Sequence, residues 1–204
     1  MKRLWPRRCL AVFLALLLGS AGGVEPASPE DLVRTAVEGV ISTIQADPAA
    51  RSGDVGRIGH LVEEKFLPYT DFLHTTRLAV GGPWKNATPE QQKAVFEQFQ
   101  TLIVHTYALE LTQISDQKIK FQYGPLQAAG SGGDVIVKTH LVTASDDNEI
   151  DYRLSRSAGA WKIYDINILG AWLSNLYRNQ FAGRLDKEGM DGLEKALREH
   201  NGRS

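Results

Sequence analysis

The run Trp161-Lys-Ile-Tyr-Asp-Ile-Asn-Ile-Leu-Gly170 passes without a break into Ala171-Trp-Leu-Ser-Asn-Leu-Tyr-Arg-Asn-Gln-Phe181, and no other stretch constrains the fold as much. Its first half alternates, with Tyr164, Ile166 and Ile168 on one side and Ile163, Asp165 and Asn167 on the other. That is the period of a strand with one buried face. After Gly170 the period lengthens. Leu173, Tyr177, Phe181 and Leu185 recur every four residues, with Trp172 and Leu176 beside them, which is a helical stripe. The pattern predicts a strand joined to a helix through a single glycine, the two forming the apolar walls of a wedge.

The rest of the chain supplies partners for that wedge. Ser28-Pro29-Glu30-Asp31 reads as a helix start, with a Ser cap, Pro at the first helical position and acids near the positive end. The stripe that follows is Leu32, Val33, Ala36, Val37, Val40, Ile41 and Ile44, halted at Asp47-Pro48. Ile58, Leu61, Val62 and Phe66 mark a second helix ended by Pro68, and Phe72, Leu73, Thr76 and Val80 a third closed by Gly81-Gly82-Pro83. Thr88-Pro89-Glu90-Gln91 carries a capping box and opens the longest helix, expected to reach Leu111. Val95, Phe96, Phe99, Leu102, Ile103, Thr106 and Tyr107 share one side of it. Alternation then resumes at Ile119–Tyr123, at Val135–Leu141 and at Ile150–Leu154, with turns at Ser145–Asn148 and Ser157–Gly159. With the strand at 161–168, this predicts a four-stranded antiparallel meander. Asp191-x-x-Glu194 predicts a cap for a final short helix carrying Leu193, Ala196 and Leu197. The fold class is α+β, with helices packed on one face of the sheet.

The N-terminus reads as an address. Lys2, Arg3, Arg7 and Arg8 precede the apolar run Cys9–Leu18 and the small residues Gly19–Gly23, so residues 1–23 are expected to be a secretory leader. The apolar run is too short to span a bilayer. Its removal takes away the only cysteine and leaves 19 Lys and Arg against 24 Asp and Glu. An exported chain without cysteine forms no disulfide, and an acidic balance lacks the footprint of a nucleic-acid binder. Residues 24–204 are then expected to form a single domain with no membrane-spanning helix.

Few residues suggest chemistry. His60, His74, His105, His140 and His200 are scattered, so neither a metal site nor a cofactor is expected. Gly130-Ser-Gly-Gly133 lacks the lysine of a phosphate loop and reads as a hairpin loop. Asp165, in an aromatic-rich strand, is the best candidate for a general base. Alternation turns it away from Tyr164 and Ile166, which favours a structural ion pair, with Arg178 as the expected partner. On the residues alone three readings stay open: an apolar-ligand carrier, an enzyme using Asp165, and an interaction module whose aromatics are ordinary core.

Leu67-Pro-Tyr-Thr-Asp-Phe72, Trp84-Lys-Asn-Ala-Thr-Pro-Glu-Gln91, Thr106-Tyr-Ala108, Trp161-Lys-Ile-Tyr-Asp165 and Tyr177-Arg-Asn-Gln-Phe181, in that order, resemble the MlaC family. These are the toluene-tolerance or ABC-transporter auxiliary proteins, periplasmic phospholipid carriers of Gram-negative bacteria. The resemblance implies a monomer that sheaths acyl chains in an apolar pocket and performs no catalysis. It implies shuttling between an outer-membrane lipoprotein–porin complex and an inner-membrane ABC transporter with an MCE-domain subunit, which maintains outer-membrane lipid asymmetry. Some relatives are associated with hopanoids, an alternative cargo. Where many relatives have Gly-Val-Ser, this chain has Gly170-Ala171-Trp172, which implies an indole reshaping the wedge. The wall expected from periodicity is Val37, Ile41, Phe72, Phe96, Phe99, Ile103, Tyr152, Tyr164, Ile166, Ile168 and Trp172.

Overall fold

A computed structural model describes residues 28–130 and 132–203. The leader expected over residues 1–23, and Ser131 of the glycine-rich loop, lie outside the described residues. Helices α1 (Pro29–Ala46), α2 (Pro48–Arg51), α3 (Val55–Lys65), α4 (Phe72–Val80) and α5 (Pro89–Thr112) come first. Strands β1 (Lys120–Tyr123), β2 (Gln127–Ala128), β3 (Val135–Val142), β4 (Asp147–Ser157), β5 (Ala160–Ile168) and β6 (Ala171–Trp172) follow, and α6 (Leu173–Asn201) ends the chain.

The helix starts form where local chemistry dictates. The Ser28 hydroxyl accepts from the Asp31 amide, and at α5 Thr88 and Gln91 complete a reciprocal capping box. Each satisfies amides that a helix's first turn leaves without intrahelical partners. At the other end of the chain, α6 is broken by Gly189, whose φ of 65° and ψ of −159° only glycine adopts without strain. The final short helix expected from a cap at Asp191 is thus the continuation of α6 beyond the kink at Gly189. Asp191 there accepts from the Gln91 side chain at 2.8 Å.

The sheet is antiparallel, with order β1-β3-β4-β5-β6 and β2 beside β1 on the outer edge of β3. It has six strands where the alternation predicts four. The two additions are two residues long, too short to show any period. One of them, β6, corrects the picture of a strand running straight into a helix. Leu169 and Gly170 have φ of 51° and 89° and form a two-residue turn, after which Ala171 and Trp172 pair back onto Ile168 and Asn167. Both central residues at positive φ give the twist a tight hairpin needs. Ala158 and Gly159, with φ of 49° and 85°, turn β4 into β5 in the same way.

A bulge in β5 corrects the expected faces. Leu154 pairs with Ile163 but Arg153 pairs with Asp165, leaving Tyr164 as the extra residue. Beyond it Ile166 pairs with Tyr152 and Ile168 with Ile150. Ile163 therefore shares the helix-covered face with Ile166 and Ile168, and packs with Val33, Ala36 and Val37 of α1. Tyr164, expected on that face, instead stacks on His74 at 4.2 Å, and its hydroxyl donates to Asp134 at 3.0 Å. The opposite face is polar, with Lys138 bonded to Glu149 and Asp151, and His140 bonded to Asp147.

Two long-range contacts dock helices onto this frame. Asp165, with its side chain fully buried, accepts from the Ser174 amide at 3.0 Å and from the Ser174 hydroxyl at 2.5 Å. It also accepts from the Ile166 amide at 3.1 Å and lies 3.4 Å from Arg153. Trp172, the residue preceding α6, makes no side-chain cap, so the Asp165 carboxylate from β5 supplies one. Arg178, the expected partner of Asp165, donates instead to the Leu78 carbonyl from Nε and Nη2, at 2.8 and 2.5 Å. A cation there complements the C-terminal end of α4.

Phe99 is wholly buried, with Phe72, Tyr177 and Phe181 at ring distances of 5.2, 4.9 and 5.1 Å. Truncating it to alanine should cost about 3–5 kcal/mol in urea unfolding, the range for large-to-small core changes. Asp165→Ala, which strands Arg153 and the Ser174 amide, should cost about 3–5 kcal/mol in the same measurement. Asp165→Asn should retain part of that, because an amide oxygen can still accept from Ser174.

Candidate functional site

Apolar side chains collect in three clusters. One joins α4, α5 and α6 around Phe72, Phe99, Tyr177 and Phe181. A second joins α1, α2, α3 and α5 around Ile44, Ile58, Leu61 and Val104. The third seats α1 on the sheet through Val37, Val137, Tyr152, Leu154 and Ile163. Between them runs a seam of side chains that are only partly buried. Ile166 packs against both the first and third clusters, while Phe66 and Phe121 pack against the second and third. Ile103 and Tyr107 of α5 and Ile168 of β5 border the first cluster, and Ile150 of β4 borders the third. This seam is where the helix layer meets the sheet.

The seam residues named above are aliphatic or aromatic. Burial raises the hydroxyls of Tyr107, Tyr152 and Tyr177 above the ordinary tyrosine value, so all three remain neutral at any physiological pH. Among the described residues no group of three or more His, Cys, Asp or Glu could hold a metal ion. Asp165 has both carboxylate oxygens engaged by protein donors, which suits a structural anchor.

The residues expected from periodicity separate. Ile103, Ile166 and Ile168 come together in the seam, and Val37, Ile41 and Tyr152 stand in the clusters beside it. Phe72 and Phe99 lie deep in the helical cluster. Phe96 reaches outward to a surface groove of about 270 Å³ that it shares with Leu73, Arg77 and Trp84. Tyr164 is turned onto His74 by the bulge. Trp172 stacks 3.7 Å from the Arg153 guanidinium, in the company of the polar-face pair Arg153–Asp165. The structure also places in the seam Phe66, Tyr107, Phe121 and Ile150, which the expected wall does not include. Tyr107 already shares the α5 stripe with Ile103, and Ile150 alternates with Tyr152, so those two carried a signal. Phe66 follows the end of α3 and Phe121 lies in a four-residue strand, where periodicity says little.

A family model described as MlaC protein matches residues 34–199. The chain is 27% identical over 190 residues to the intermembrane phospholipid transport system binding protein MlaC of Haemophilus influenzae, covering 90% of this chain and 87% of that one. It is 28% identical over 116 residues to the toluene tolerance protein ttg2D of Pseudomonas putida, covering 55% and 51% of the two chains. Among solved structures, a phospholipid-binding protein from Ralstonia solanacearum in complex with a phospholipid matches with a TM-score of 0.80 at 39% identity. That match covers 87% of this chain and 98% of the other. A family model spanning nearly all the described residues, on a fold shared at that level of identity, establishes that the chain belongs to the MlaC family.

Proposed function

We propose that this chain is a periplasmic phospholipid carrier that holds acyl chains in the seam between its helix layer and its sheet. The observation that carries the reading is the likeness to the Ralstonia phospholipid complex, nearly the whole of which this chain covers. The lining supports it. A phospholipid's two tails contain about 28 methylenes, each worth roughly 0.8 kcal/mol out of water, so exposed tails cost on the order of 20 kcal/mol. Enclosing them takes apolar depth and neutral walls, which Ile103, Tyr107, Ile166 and Ile168 provide. The headgroup needs no elaborate polar site, because it can remain in water.

Loading requires the seam to widen, since Ile166 now packs against both walls. Ligand binding selects the widened form by its differential affinity, and no covalent step is involved. The carrier performs no turnover. It runs between an outer-membrane lipoprotein–porin complex and an inner-membrane ABC transporter with an MCE-domain subunit, maintaining outer-membrane asymmetry. Direction is set by the ATP-driven partner, because binding alone is reversible.

Native mass spectrometry of the protein, purified after expression of the full-length gene, should show one or two phospholipid increments that organic extraction removes. Ile103→Asp and Ile166→Asp should each abolish the increment with the far-ultraviolet circular dichroism unchanged, because a carboxylate in the seam opposes apolar chains by several kcal/mol. A protein that stays at its bare mass after incubation with phospholipid vesicles would sink the proposal. Transfer of a fluorescent phospholipid between vesicle populations should accelerate with the wild-type chain and not with Ile166→Asp.

A further inference from the structure

The groove into which Phe96 projects lies between α4 and the first two turns of α5, two turns along the α5 stripe from Ile103. Leu73 of α4 is 37% exposed there, and Trp84 and Phe96 supply the rest of the apolar floor. The floor is rigid. Trp84 is buried, and the Gln92 side chain donates to its carbonyl at 2.9 Å. Phe96 rests edge-on against Phe72 at 5.8 Å, which ties the groove to the helical core. A preformed floor lowers the ordering cost of binding.

Two cations flank it, on a chain that carries more acidic than basic side chains. The Arg77 guanidinium is exposed and has no hydrogen-bond or ion-pair partner among the described residues. Lys93 faces Glu97 at 3.8 Å, and both are well exposed, so the pair holds the ammonium only weakly. Glu90, in the first turn of α5, is the other acid on that helix end. An apolar floor between a free guanidinium and a loosely held ammonium selects a ligand with apolar side chains flanked by carboxylates.

We propose that this groove is a docking site for an acidic amphipathic segment of a protein partner. An apolar side chain of the segment sits on Leu73, Trp84 and Phe96, and its carboxylates pair with Arg77 and Lys93. The groove holds about 270 Å³, enough for one large side chain and its neighbours. A contact this small is of the weak, transient kind. It does not depend on lipid being the cargo, because Leu73, Arg77 and Lys93, which carry its test, are not among the seam side chains.

The test uses fluorescence anisotropy with two labelled synthetic peptides, one alternating leucine and glutamate at amphipathic helical spacing, the other with lysine in place of glutamate. The acidic peptide should bind and weaken as salt rises. Arg77→Glu and Lys93→Glu should each weaken it at least about tenfold. Leu73→Ala, which leaves the charges in place, should weaken it by a smaller factor. All three variants should retain the wild-type phospholipid increment in native mass spectrometry, which separates a failure of this site from a failure of the carrier reading. Equal binding of the lysine peptide, or acidic-peptide binding indifferent to Arg77→Glu, overturns the proposal. No binding of the acidic peptide together with Arg77-dependent flotation on phosphatidylglycerol vesicles also overturns it, in favour of a lipid surface.

Discussion

Asp165 is the contact on which the arrangement of this fold depends. Its carboxylate is buried beside the bulge in β5, and it takes the amide and hydroxyl of Ser174 at the start of α6. A buried carboxylate is stable only when its charge is answered by donors, and here a helix terminus, a serine, a backbone amide and Arg153 share that duty. The contact therefore fixes where α6 leaves the sheet. Once α6 is placed, Leu173, Tyr177 and Phe181 pack on Phe99, and Arg178 falls beside the last turn of α4. An acid holds one helix by its positive end and a base holds the next by its negative end.

The bulge has a second effect. By inserting Tyr164 it turns Ile163, Ile166 and Ile168 onto the same face, so the helix-covered side of β5 carries three isoleucines in place of an aromatic. Two of these, Ile166 and Ile168, are only partly buried and border the helical cluster. They are less buried than Phe99 or Ile44, each at most 1% exposed. Tight packing would give more stability, whereas a seam between well-packed clusters can part without unfolding either wall. The proposed carrier role has to reconcile those demands.

The edge of β5 shows how the fold manages exposed backbone. Its outer edge would offer free amides and carbonyls to another chain. The Asp71 amide donates to the Ile163 carbonyl at 2.8 Å and the Thr75 hydroxyl to the Tyr164 carbonyl at 2.6 Å, while β6 covers the far half. The segment that opens α4 thus both closes the sheet and sets the helix whose outer face bears Leu73 and Arg77. Seam and groove lie along one stripe of α5, with Phe96 two turns before Ile103, and the rings of Phe96, Phe72 and Phe99 tie the groove to the helical core.

What was legible in the sequence was whatever neighbours along the chain decide. Helix caps at Ser28 and Thr88, the stripes of α1 and α5, the breaks at Pro48 and Gly81, and the alternation of β3 and β4 all follow from residues within a few positions. The MlaC resemblance rested on short segments in order, which the match over residues 34–199 bears out. Tertiary structure alone decided the rest. A bulge is invisible to alternation because one extra residue exchanges every later side chain between faces, and only the partner strand reveals it. Leu169-Gly170 makes the same turn as Ala158-Gly159, yet β6 exists only because β5 offers it an edge. Asp165 and Arg178 are complementary charges in sequence, but each found a nearer partner in space, at the ends of α6 and α4. Periodicity tells which side chains avoid water. Whether they meet a helix, a strand or a lipid depends on distances between elements that no local pattern contains.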